Sequence, residues 1–316
     1  MKATERIDRL LAQAHDMQRC IIAPSHNDRC MLLRRVQQGQ ILQPVRGMYI
    51  DSAYWNGLHS DERMRHITRA YAHAHPNWIF EGLTAACIHR LDHDYELPHR
   101  TISVMVPSPP NARAPHWMQY RQCEDAEYVI VDGVKVTPLA KTVADCLCTH
   151  DFCNGLQMCN DALRRGVTRA AITDTLESMP HATAGAWNVV HHATPRCENG
   201  GESRALAVMI EGGLQVPQLQ REFHCAQNGE TRRADYCWAT ESGLIVGELD
   251  GREKYIDPTM TGGRMVEEIV DDERMRVDTL MKCGVIRIVR FRVRETFDPP
   301  AFIDKLMKAG VPRVLR

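Results

Sequence analysis

The sequence has no apolar run approaching the roughly 20 residues that a membrane-spanning helix requires. Its opening stretch, MKATERIDRLLAQAHD, is a charged amphipathic helix without the apolar centre of a secretion signal. Both absences lead to the expectation of a cytoplasmic protein with no membrane partner. No C-x-x-C pair occurs among the twelve cysteines, and the densest group, Cys146, Cys148, Cys153 and Cys159, is separated by one, four and five residues. That spacing does not fit a zinc site, and a cytosolic chain of 316 residues has no need of disulfides, so buried free thiols are expected. His89, His93 and His99 lie close in sequence but lack the carboxylate of an H-E-x-x-H site, so they read as surface or capping histidines.

A large net charge is missing too, since the total is -1. The distribution is uneven, however. Residues 1–50 carry eight Lys/Arg against four Asp/Glu, and residues 284–316 carry eight against three, which leaves the middle acidic. Basic ends permit a local phosphate-binding surface that the total conceals. A length of 316 residues exceeds one typical core, and 44% hydrophobic with 25% charged residues is the composition of an ordinary soluble protein of two or three domains.

Residues 1–58 read as a helix over 5–15, a second helix from about Asn27 to a C-cap at Gly39, and then a β-hairpin, ILQPVRGMYID, around Arg46-Gly47. Helices followed by a basic-tipped hairpin make a small winged helix, with Arg34, Arg35 and Arg46 as phosphate contacts; a helical cap packed on the rest of the chain is the alternative. Residues 59–180 mix helical and strand periods, including a helical pair broken at Gly166, and carry no recognisable chemistry. Residues 181–196 have little periodicity and read as a linker.

Residues 197–316 hold the sharpest pattern. GESRALAVMIEGG is a helix on which Glu202 shares the stripe of Ala205, Leu206, Met209 and Ile210, so an acid faces the core. Its bland reading is a first-turn acid favoured by the helix dipole. Three strands follow, joined by turns at Asn228-Gly229 and Glu241-Ser242. The second turn pairs residues whose numbers sum to 483, which sets Asp235 opposite Glu248, with Asp250 on the same face by the strand period of two. Carboxylates that close require a cation between them, and an all-oxygen set suits Mg²⁺ or Mn²⁺. Such a site beside Lys254 is equipped for phosphodiester hydrolysis. A one-residue register slip would instead scatter the acids along a solvated rim. A long helix ending at Gly284, the strand VIRIVRFRVR with Arg287 and Arg290, and a closing helix complete an α-β-β-β-α-β-α order. Arg287 and Arg290 join the candidate DNA contacts.

Residues 197–298 resemble the PD-(D/E)xK nuclease superfamily, in the branch similar to very-short-patch mismatch repair endonucleases. The matching segments are GES with Glu202, RRADYCW with Asp235, GELDGREKY with Glu248, and DDERMRVDTLMKCGVIRIVRFR. The resemblance implies a restriction-endonuclease-like fold, a Mg²⁺ site on Asp235, Glu248 and Asp250, and catalytic roles for Glu202, Asp235, Glu248 and a lysine. The lysine usually found two places after the second acid is Asp250 here, so either Lys254 supplies that cation or the site is a binding remnant. Residues 1–180 look like the AbiEi type of antitoxin, through LLRRVQQGQILQPVRGMYID, IFEGLTAACIHRL, VKVTPLAKTVADCL and DALRRG. The fusion implies a Mg²⁺-dependent endonuclease directed to double-stranded DNA, in defence or mobile-element biology. The rival expectation is a non-catalytic DNA-binding regulator with a degenerate nuclease fold. Monomer and homodimer are both open.

Overall fold

A computed structural model describes residues 3–94, 101–109, 114–226, 229–250 and 266–314. Among them are twelve α-helices and three sheets, a mixed α/β architecture. The chain divides into two compact units, one formed by Met1–His150 with Val167–Ala186, the other by Asp151–Gly166 with Trp187–Arg316.

The first unit starts with α1 (Ala3–Asp16), β1 (Ile21–Ile22), α2 (His26–Gln37), β2 (Ile41–Leu42) and β3 (Met48–Asp51). Ser25 caps α2, its hydroxyl accepting from the Asp28 amide at 3.2 Å, and Gly39 follows the helix end at φ +72°, the left-handed turn expected of it. The expected hairpin is present, with Ile41 opposite Asp51 and Leu42 opposite Ile50, and β1 adds a third strand on β3. Ile7, Ile21, Leu32, Ile41 and Tyr49 form the core beneath.

Cys20, Met48 and Ile50 pack against Ala70 of α4 (Ser60–Ala74), which follows α3 (Ser52–Gly57). Residues 1–58 therefore share a core with what comes next, and the boundary expected at 58 is not a division between compact units. The rest of this unit is β4 (Ile79–Phe80), α5 (Gly82–His89), β5 (Ile102–Val106), β6 (Met118–Gln122), β7 (Val129–Val131), β8 (Val134–Val136) and α6 (Leu139–Leu147). The strands make a sheet in the order β6-β5-β4-β8-β7.

Between them, α7 (Phe152–Arg164) and α8 (Arg169–Ser178) confirm the helical pair broken at Gly166, but its two members go to different units: α7 packs on the second, α8 on α6 of the first. The linker expected over 181–196 contains α9 (Ala184–His192), started by the Thr183 hydroxyl accepting from the Ala186 amide at 3.1 Å. Ala186, Val189, Val190 and Ala193 are buried, so packing overrides the weak local pattern.

The second unit continues with α10 (Gly200–Glu211), β9 (Gln218–His224), β10 (Thr231–Thr240), β11 (Gly243–Leu249), α11 (Val266–Lys282), β12 (Val285–Phe291) and α12 (Pro299–Lys308). Its sheet runs β12-β11-β10-β9, with β12 parallel to β11 and the other pairs antiparallel. Phe223, Ala234, Cys237 and Val246 of the sheet share a buried cluster with Leu280 of α11. Tyr236, Trp238 and Phe291 are also buried, with the Phe291 ring 4.9 Å from that of Phe302 on α12. Among the described residues no helix is long and apolar enough to cross a membrane.

Candidate active site

The β10–β11 hairpin has the expected register. Thr240 pairs Gly243, Trp238 pairs Ile245 and Tyr236 pairs Gly247, so the next rung sets Asp235 against Glu248 at the mouth of the strands. Glu248 is buried and Asp235 and Asp250 are partly buried. The Leu249 amide donates to Asp235 Oδ2 at 2.8 Å, and the Asp250 amide donates to the Phe291 carbonyl at 2.8 Å, which pins the strand end to β12. Burial raises the pKa of Asp235, and the charge of Glu248 pushes it the same way.

Glu202 joins this neighbourhood from α10, whose start depends on it. The Asn199 side chain accepts from the Glu202 amide at 2.9 Å while its Nδ2 donates to Glu202 Oε1 at 2.9 Å. Glu202 Oε2 accepts from the Glu198 amide at 2.8 Å and from Gln220 Nε2 at 3.0 Å. The arrangement is a reciprocal cap, readable in sequence as Asn199-Gly-Gly-Glu202. Three N–H donors occupy this carboxylate. Its pKa is pushed up to about 6, chiefly by burial.

Glu248 is not the uncompensated acid that the sequence reading assumes. Arg276 of α11 donates to its Oε1 from Nε at 3.0 Å, and from a second nitrogen at 2.5 Å that also reaches the Arg233 carbonyl. Arg290, its register neighbour on β12, places Nε 3.5 Å from Oε2. Arg290 thus faces the acids instead of an open basic surface, and Arg287 donates to the Lys308 carbonyl at 3.2 Å. Lys254 lies outside the described residues. The cations seen beside Glu248 are therefore Arg276 and Arg290, of which sequence reasoning missed Arg276; its helical position reveals nothing about which strand end it reaches.

Of the N-terminal arginines, Arg34 and Arg46 are exposed, as phosphate contacts must be. Arg35 is not available in the same way: its guanidinium is 2.6 Å from Asp8 and its side chain is 17% exposed. In the same unit His93 is buried, with Nδ1 2.6 Å from the Leu91 carbonyl and Nε2 3.1 Å from Asp61. The reading of His93 as a surface residue is thus corrected to a buried His–Asp pair, beside the buried Cys87.

The chain matches no protein-family model and no curated protein. Among solved structures, the crystal structure of the RV2827C protein from Mycobacterium tuberculosis aligns at 14% identity over 64% of this chain and 80% of that one, with a TM-score of 0.35.

Proposed function

We propose that the protein is a divalent-metal-dependent DNA endonuclease whose chemistry resides at Asp235, Glu248 and Asp250. The observation that supports this most is the β10–β11 register, paired as far as Tyr236 with Gly247, whose next rung brings Asp235 to Glu248, two carboxylates together where burial already disfavours one of them as an anion. An all-oxygen donor set of this kind fits Mg²⁺ or Mn²⁺, with Asp235 and Glu248 as the holding residues and Asp250 beside them. When bound, such an ion activates water and neutralises charge building on the phosphate.

The protein's own residues divide the remaining work. Asp235, fixed by the Leu249 amide, presents a carboxylate in one orientation. Arg276 supplies the positive charge that the motif usually takes from a lysine at position 250; a guanidinium resting on Glu248 is placed to shift toward the anionic phosphate. Glu202 acts as a positioning residue, accepting from Gln220 beside the acids. Duplex DNA is the partner, and exposed Arg34 and Arg46 on the small helix-and-hairpin module are its phosphate contacts.

One observation favours a second reading. Arg276 and Arg290 both pair with Glu248, an arrangement that a non-catalytic DNA-binding regulator with a degenerate nuclease fold would retain. Calorimetric titration with Mn²⁺ separates the two. Specific binding that Asp235→Ala abolishes supports the nuclease, and absence of binding supports the regulator.

A further inference from the structure

Gln220 lies at a gap in the ladder between β9 and β10. Ala234 pairs Arg221 and Tyr236 pairs Leu219, so Gln220 is the residue that would face Asp235, and that rung is missing. Its φ is +51°, a left-handed conformation inside a strand that is unfavourable for a residue with a long side chain. Because β9 is the edge of the sheet, a break in pairing there could simply blunt the edge. A break with that purpose alone would leave its polar side chain in water.

Gln220 does the opposite. Its Nε2 donates to Glu202 Oε2 at 3.0 Å, while the residue stands across the missing rung from Asp235. The carboxylate that accepts from this amide fixes its orientation: the nitrogen faces Glu202, because a flipped amide would set its oxygen against an anion. The oxygen is then left over. Gln220 Oε1 is buried and has no hydrogen-bond partner among the described residues. A buried acceptor beside a carboxylate pair needs a donor or a cation.

We infer that Gln220 is a positioning residue of the acid patch: its amide nitrogen is anchored on Glu202, and its Oε1, across the open rung from Asp235, is held ready to accept from the hydrated divalent cation. The inference rests on the nuclease reading above and gives Glu202 its purpose, as the anchor that keeps this amide turned inward. The strained backbone is what turns the side chain from the open edge toward the acids.

The test is Mn²⁺ binding by the full-length chain, followed by electron paramagnetic resonance and calorimetry, with metal-free thermal unfolding as the control. Glycine adopts a φ of +51° readily, so Gln220→Gly removes the side chain while relieving the backbone. Its metal-free melting temperature is expected to match or exceed the parent's, and its Mn²⁺ affinity to fall about tenfold, a typical loss for one supporting residue of a metal site. If the glycine variant does not fold, Gln220→Asn carries the same test, since Asn tolerates the left-handed region but is too short to reach Glu202. A loss of threefold or more supports the role, and a smaller loss overturns it. A parent chain that binds no Mn²⁺ overturns the nuclease reading itself, and this inference with it.

Discussion

Asp235→Ala and Glu248→Ala remove one carboxylate each from the same patch, yet the geometry gives them opposite consequences for the metal-free protein. Asp235→Ala loses the hydrogen bond from the Leu249 amide, a loss of about 1 kcal/mol. It also removes an anion that burial and Glu248 both disfavour, which offsets part of that loss. The net change should lie within about 1 kcal/mol of zero. Glu248→Ala leaves Arg276 and Arg290, whose side chains are 29% and 37% exposed, without the carboxylate that neutralises them. Breaking a fully buried pair costs roughly 3–5 kcal/mol, and partial exposure of the arginines reduces that to about 2 kcal/mol. Because the chain has two compact units, a global melting temperature would blend them. Amide hydrogen exchange over residues 231–249 reads the local opening free energy instead. Protection close to that of the parent in Asp235→Ala and clear loss in Glu248→Ala is the expected pair of results. The reverse order, with Asp235→Ala the more damaging by 2 kcal/mol or more, would refute the charge accounting.

Arg276→Met is expected to lower Mg²⁺-dependent cleavage by about two to three orders of magnitude while Mn²⁺ affinity holds or rises, as competition for Glu248 disappears; filter-binding and single-turnover kinetics measure both. Neutralising Arg34 and Arg46 together should weaken duplex DNA binding and reduce the slope of log affinity against log salt by about two, whereas Arg35→Ala should leave that slope unchanged because Asp8 holds its side chain. Glu202 has a folded pKa of about 6 against an ordinary 4.5, so the native state binds the extra proton. Its contribution to stability is complete below about pH 4.5 and is lost as pH rises through 6, an effect on the order of 1 kcal/mol. The difference in denaturation free energy between the parent and Glu202→Gln, followed from pH 4 to 7.5, should carry that slope.

Local chemistry made much of the second unit legible. Turn residues at 241–242 fixed the hairpin register, and the register placed Asp235 opposite Glu248. The Asn199–Glu202 cap was equally readable from the Asn-Gly-Gly-Glu spacing. What lay beyond sequence depends on long-range pairing. The parallel match of β11 with β12, reached only through α11, decides that Arg290 meets Glu248. Helical periodicity shows that Arg276 is on α11 but not that it reaches that carboxylate. Gln220 gives no signal at all, because a missing rung exists only relative to the strand it fails to pair. In the first unit, burial of His93 beside Asp61 and the separation of α7 from α8 are likewise decided by packing.

The central claim is that the acids at Asp235 and Glu248 cleave DNA with a divalent ion. Incubating the full-length chain with supercoiled duplex DNA in Mg²⁺, beside Asp235→Ala purified identically, addresses it most directly. Nicking or linearisation by the parent, lost in the variant and in chelator, is the predicted result. Equal cleavage by both proteins, or none by the parent in Mg²⁺ or Mn²⁺, would contradict it.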